Sequence, residues 1–415
     1  MNILVIGNGF DLAHGLPTRY ADFLKFCGKV IALKGPSVES HLQSDDFFAD
    51  IPDRLKDAIR EPYNYYDPES PLKHTYEISL IKKFCDYIEC NFWYNHFSTQ
   101  FNQTDSGKNW IDFESEIGRI VRILSDNIKE NWMHDRASSL ISELYSSNIS
   151  TDKFKDKKNI TIRAFLNTLE SDLNNFINAL EIFLAKFVNK SEVLPLKDIE
   201  KIQVDKVLSF NYTNTFEEVY LKDHYNHKCL PAVSYIHGKA TPDEDPIIVP
   251  KNNNIVLGIE EYLPDEEKNK NLLFISYKKY FQRIYKETGN EYLDWVDKIS
   301  HEWEALDPEL KINLQMRISK HSFNTKSICH NDLMHFLYIF GHSLDVTDGD
   351  VFRRLILHDN VKTNIFYYRE YENDKRDLKQ KIANLVKIIG QDELIKRTGG
   401  STRTIEFVPQ SIPES

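Results

Sequence analysis

The first twenty residues constrain this chain more than any other stretch, because an apolar run passes directly into glycines. Ile3, Leu4, Val5 and Ile6 lack polar alternation and are rich in β-branched side chains, the pattern of a strand buried on both faces. Gly7, Asn8, Gly9, Phe10 and Asp11 follow, then His14, Gly15 and Pro17. Gly7 suits a tight turn off the strand, and Gly9 allows backbone amides to approach a ligand closely. The segment after Pro17, with Thr18, Tyr20, Phe23 and Leu24, is expected to form a helix packed back on the sheet. Strand, glycines and helix in that order describe a phosphate-binding turn, in which free helix amides face a diphosphate. The ordinary dinucleotide loop places its third glycine three positions after the second, whereas Gly15 comes six positions after Gly9. A tight turn without a ligand remains an alternative for this stretch.

With 415 residues, the chain exceeds one compact core, so a core with large insertions or two to three domains is expected. The net charge of -11 disfavours a general nucleic-acid surface, since such surfaces draw their affinity from basic patches. Cys27, Cys85, Cys90, Cys229 and Cys329 are odd in number and lack metal-ligand spacing, which supports neither a disulfide framework nor structural zinc. No apolar stretch approaches the ~20 residues of a spanning helix, and the run Ile3–Ile6 is too short for a signal peptide. A soluble, cytoplasmic protein is therefore expected.

Periodicity divides the chain further. Helical spacing is predicted over His74 to Phe101, from Trp110 through Leu124, and over Ile160 to Val188, so that residues 36–200 form a helical insertion. Strands are predicted at Val204–Phe210, Val233–Ile236 and His335–Phe340, with shorter extended runs at Ile247–Val249 and Ile255–Ile259 and a last core strand at Asn364–Tyr368. Residues 261–332 make a second helical insertion, and a charged helix from Asn373 to Ile389 precedes a polar tail after Gly399. The expected fold is α/β, a Rossmann-like, mainly parallel sheet with two large helical insertions. Its core comes from residues 1–35, 201–260 and 333–415.

Ligands of such sheets sit beyond the carboxyl ends of the strands, which gives weight to four strand endings: Gly7 to Pro17, Ser209 to Glu217 (SFNYTNTFE), Ile236 to Gly238 (IHG) and Gly341 to Asp350 (GHSLDVTDGD). This set resembles the AbiH family of bacterial phage-defence proteins, and beneath it the sirtuin-type fold, whose signatures are a glycine loop, an Asn-containing strand end, His-Gly and Gly-x-Ser-Leu. The AbiH-like match extends to KKYFQRIY at Lys278 to Tyr285 and, more loosely, to Trp110 through Glu116.

The sirtuin-like resemblance implies a site for NAD, as substrate or ligand, with Asn211 and His237 in the catalytic positions. It implies contacts from Gly7, Asn8, Gly9, Phe10, Asp11, His14, Gly15, Thr213, Gly238, Gly341, His342, Ser343, Leu344 and Asp345. The chemistry agrees: cleaving a nicotinamide–ribose bond passes through a cationic sugar and calls for a base titrating near neutrality and a neutral group able to hold water or a ribose hydroxyl. Structural alternatives stand beside these roles. Asn211 could cap a helix, His237 could occupy a turn, and Ser343 could cap or bind phosphate. Asp345, Asp348 and Asp350 could form a solvated capping cluster or hold a cation, and Glu114 and Glu116 suit a helix start. No cysteine pairs follow His237, so the zinc module of protein deacylases is missing and no metal is expected.

The AbiH resemblance implies an abortive-infection protein, in the simplest case an NAD glycohydrolase that depletes NAD on infection. A phage-derived trigger and a homo-oligomer are the expected partners, with neither membrane nor nucleic acid. The alternatives are a nucleotide sensor that drives assembly without turnover, and below it a metal-dependent nuclease or phosphohydrolase using Asp11 and the acids from Asp345 to Asp350.

Overall fold

The computed structural model describes residues 1–34, 38–64, 71–103, 111–128, 135–157, 159–188, 193–222, 230–241, 253–259, 272–321, 323, 333–400 and 403–411. The chain forms two compact units. One contains Met1–Leu16, Lys190–Gly238 and Thr288–Ser415, and the other Pro17–Asn189 and Lys239–Glu287. The division falls away from the expected boundaries at both ends: the helix after the glycine loop joins the second unit, and the later half of residues 261–332 joins the first.

The first unit is built on a six-stranded sheet, β1 (Asn2–Ile6), β2 (Lys206–Ser209), β3 (Ala232–Tyr235), β4 (His335–Phe340), β5 (Val361–Tyr367) and β6 (Ile405–Pro409). The order is β3-β2-β1-β4-β5-β6 and every pairing is parallel, so the fold is the expected α/β, Rossmann-like one. Side chains alternate between the faces along each strand. Ile3, Val5, Leu208, Ile339 and Ile365 face one way, with Trp295, Phe352 and Leu385 in the same core cluster. Leu4, Ile6, Val207, Phe340 and Phe366 face the other, packed with Phe10, Ile199 and Phe216. Burial on both faces explains why β1 and β4 read as unbroken apolar runs.

Three expectations are corrected. Asn364–Tyr368 is not the last core strand, because Ile405–Pro409, expected as polar tail, pairs with β5 at the sheet edge. Ile255–Ile259 is extended but joins no strand of the sheet. It lies in the second unit, where the Gln282 amide accepts from Leu257 N–H (3.0 Å) and donates to Leu257 O (3.1 Å). The run Ile247–Val249 lies outside the described residues.

The third correction concerns the helix Tyr20–Ala32, expected as part of the sheet's layer, which belongs to the second unit. Its aromatic face decides this: the Phe23 ring lies 5.3 Å from both Phe176 and Phe183, and Phe26 lies 5.3 Å from Phe84. The remaining helices of that unit include Pro71–Ile88, Phe92–Gln103, Phe113–Asn127 and Ile162–Ile182. The predicted span from His74 to Phe101 breaks where Cys90 takes φ 57 and the Asn91 carboxamide oxygen accepts the amides of Trp93 and Tyr94, capping a new helix. Glu114 opens the helix Phe113–Asn127 and pairs with buried Lys279 at 2.7 Å, so two of the stretches carrying the family resemblance meet there.

Candidate active site

Strand order reverses between β1 and β4, since β1 is followed by β2 on one side and β4 by β5 on the other, the position at which open parallel sheets bind their ligands. Register sets what borders it. Ile6 is level with Ser209 and Phe340, and Ser209 with Tyr235, so Gly7, Phe210, Ile236 and Gly341 each follow at the same level.

The glycine loop turns out to be a backbone lock. Gly7 N–H donates to Phe340 O (3.1 Å), Gly9 N–H to Gly341 O (2.7 Å) and Phe10 N–H to Gly7 O (2.8 Å). A Cβ on Gly9 would stand 2.8 Å from both Gly341 Cα and Gly341 O, and one on Gly341, at φ +70, would stand 2.1 Å from Phe10 N. The space expected beside Gly9 for a ligand therefore holds the Gly341 backbone, and these three amides already serve protein carbonyls. The helix that follows, Asn8–Ala13, starts at once, ahead of Pro17.

Two further residues of that loop face the protein. Phe10 is fully buried against Phe216, Tyr220 and Phe340. His14 Nδ1–H donates to Phe10 O (2.7 Å), and its Nε2 accepts from the Tyr220 hydroxyl (3.0 Å). Burial lowers the His14 pKa and favours the neutral ring. Asn8 and Gly15 are exposed, Gly15 at φ +70 with open space around it.

Asp11 points inward. It is 1% exposed, and its Oδ2 accepts from Thr213 Oγ1–H at 2.6 Å, while Thr215 Oγ1–H donates to Thr213 Oγ1 at 3.0 Å. Burial first, then the Glu217 and Asp11 carboxylates, push the Tyr235 phenol far above its ordinary pKa. Asp11, Glu217, Thr213 and Tyr235 thus gather beyond β1, β2 and β3. Sequence reasoning missed Glu217 and Tyr235 as site residues, although Tyr235 is the final residue of a strand and the strand-end rule would have found it.

Asn211 and His237 each stand two residues beyond the paired Ser209 and Tyr235 on neighbouring strands. Asn211 N–H donates to Ser209 Oγ (3.1 Å), while its buried Nδ2 has no hydrogen-bond partner among the described residues. His237 Nε2 lies 3.2 Å from Asp348 Oδ1, and His342 Nε2 lies 3.4 Å from Asp348 Oδ2. Gly238 takes φ 77 directly after the histidine.

The loop after β4 divides its side chains. Ser343, Asp345 and Asp350 are exposed, and Asp345 accepts from Thr347 N–H in a capping turn (3.0 Å). Leu344 is fully buried in the core at φ 57. The acids expected as one cluster are split, and Asp348 alone meets the histidines. Among the described residues no group of three or more His, Cys, Asp or Glu side chains is placed to hold a metal.

An open parallel sheet with ionisable side chains gathered beyond four strand ends describes a doubly wound α/β protein with a candidate site at its switch point. The chain belongs to the AbiH family, bacteriophage abortive infection AbiH, whose family model matches residues 3–368. That membership supports a bacterial anti-phage role of the abortive-infection kind. No curated protein and no solved structure matches the chain. Among the described residues no helix is long and apolar enough to cross a membrane.

Proposed function

We propose that this protein defends its host by consuming a nucleotide, hydrolysing an N-glycosidic bond with NAD as the substrate, in the cytoplasm and on a phage-derived trigger. One observation carries the proposal: Asn211, whose buried donor has no partner among the described residues, and His237, beside Asp348, each lie two residues beyond a paired position at the ends of β2 and β3. Departure of neutral nicotinamide leaves positive charge on the ribose. The Asp11 and Glu217 carboxylates beside Tyr235 favour that charge electrostatically. His237 takes a proton from the attacking water as the C–N bond breaks, and Asn211 holds the water or a ribose hydroxyl.

Mass spectrometry of NAD incubated with purified protein tests this directly, with EDTA present in a parallel sample. Turnover that survives the chelator is expected, together with a loss of about 100-fold to 10,000-fold in His237→Ala and Asn211→Ala at retained NAD binding. Nucleotide pools that stay constant in infected cells, while a His237→Ala strain keeps its phage protection, would remove the enzyme and leave a sensor that drives self-assembly. Activity abolished by EDTA and restored by magnesium would instead favour a metal-dependent hydrolase.

A further inference from the structure

We infer that Asp348 is the positioning residue of His237, acting through one carboxylate shared with His342, so that the loop after β4 straps the switch point. The inference rests on the proposed role of His237 and names what sets that ring. In the sheet, β3 and β4 are separated by β2 and β1. Three strand spacings put their ends roughly 14 Å apart. No side chain immediately after β4 spans that gap unaided, yet Asp348 meets both the histidine beyond β3 and the histidine beyond β4.

The fold supplies the reach. Phe210, beyond β2, fills the interval, with its ring centroid 5.5 Å from His237, 4.4 Å from His342 and 5.3 Å from Phe352, on which it stacks. Lys381 Nζ donates to His342 O (2.7 Å) and Asn384 Nδ2 to Ser343 O (3.0 Å), tying the strap to the helix Arg376–Ile389. Leu344 N–H donates to His342 Nδ1 (2.9 Å), so in the neutral ring the His342 proton sits on Nε2, toward Asp348.

Asp348 also occupies the N-cap position of the helix Gly349–Ile356 and makes no side-chain capping bond there. An aspartate at that position ordinarily bonds the first-turn amides. Here the carboxylate is turned to the imidazoles, with 12% of the side chain exposed. A carboxylate only accepts, so each neutral histidine carries its proton on Nε2, which leaves Nδ1 of His237 as the basic nitrogen of that ring.

Long-range proton–nitrogen NMR of the full chain labelled at histidine reads these tautomers without any substrate. Of the 14 histidines, the two rings are assigned by the loss of their signals in His237→Gln and His342→Gln. Once neutral, both rings are expected as Nε2–H tautomers in the wild type. Asp348→Asn should convert at least one of them, and Asp348→Glu should restore the wild-type pattern. On NAD, Asp348→Asn should lower kcat by ~100-fold or more with KM little changed, the signature of a misoriented base. An Nδ1–H tautomer of His237 in the wild type, or unchanged tautomers in Asp348→Asn, would overturn the inference. A protein inactive on every nucleotide, yet with the expected tautomers, would sink the glycohydrolase proposal and leave the positioning by Asp348 intact.

Discussion

The two loops that leave β1 and β4 begin in contact and are put to different uses. The loop from Gly7 to Gly15 turns its distinctive groups inward: its amides at Gly7, Gly9 and Phe10 bond protein carbonyls, and both nitrogens of His14 are engaged by Phe10 O and Tyr220. The loop from Gly341 to Asp350 starts with the same backbone lock, then carries Asp348 across the strand ends from His342 to His237. In sequence both loops look like binding elements, the second with a cluster of acids at its end. Glycine marks two different needs, close approach to a ligand or close approach to another backbone, and the chain alone does not separate them.

The sharpest break in that comparison comes from Gly341→Ala. The new Cβ would lie 2.1 Å from Phe10 N on a backbone at φ +70, combining overpacking with left-handed strain. A loss of ~3 kcal/mol or more is expected from urea denaturation. Gly9→Val should behave similarly, losing stability before any effect on a ligand can be read, because its neighbour is the Gly341 backbone. If either variant kept its stability and lost only nucleotide binding, the lock would have to give way to a ligand cradle.

His14→Leu removes the bonds to Phe10 O and Tyr220, with an expected cost of ~1 to 3 kcal/mol at neutral pH. The pH dependence sharpens the point. The folded-state pKa of His14 lies below its ordinary value through burial, so the unfolded chain binds the proton first. The stability His14 supplies is therefore complete above the ordinary imidazole range and falls as pH drops through it. Denaturation midpoints measured from pH ~8 to ~5 should fall less steeply in His14→Leu than in the wild type. An equal slope would mean that His14 is not buried neutral.

The smallest effect is expected at Gly15, which has positive φ but no atom within 4 Å of an added Cβ. Gly15→Ala should cost only ~1 kcal/mol, the conformational term without the clash. A cost as large as that of Gly341→Ala would show that the whole loop is under one constraint.

Local chemistry in the sequence was enough for β1, the span of β4 from His335 to Phe340, the parallel Rossmann-like class and the placement of Asn211 and His237 just beyond strand ends. Strands buried on both faces announce themselves as apolar runs, and parallel sheets place their sites beyond the carboxyl ends. Ile405–Pro409 was illegible because a short edge strand with Glu406 as its second residue has no such run. Only its pairing with β5 makes it a strand, and only there does Glu406 come within 3.8 Å of the fully buried Lys362. The destination of the helix Tyr20–Ala32 was decided in the same way, by Phe176 and Phe183 far along the chain. So was the use of Asp348, indistinguishable in sequence from Asp345 and Asp350. Hydrogen bonding between neighbours is written in short stretches, whereas a carboxylate that spans β1 and β2 to reach His237 exists only once the sheet has set its strand order.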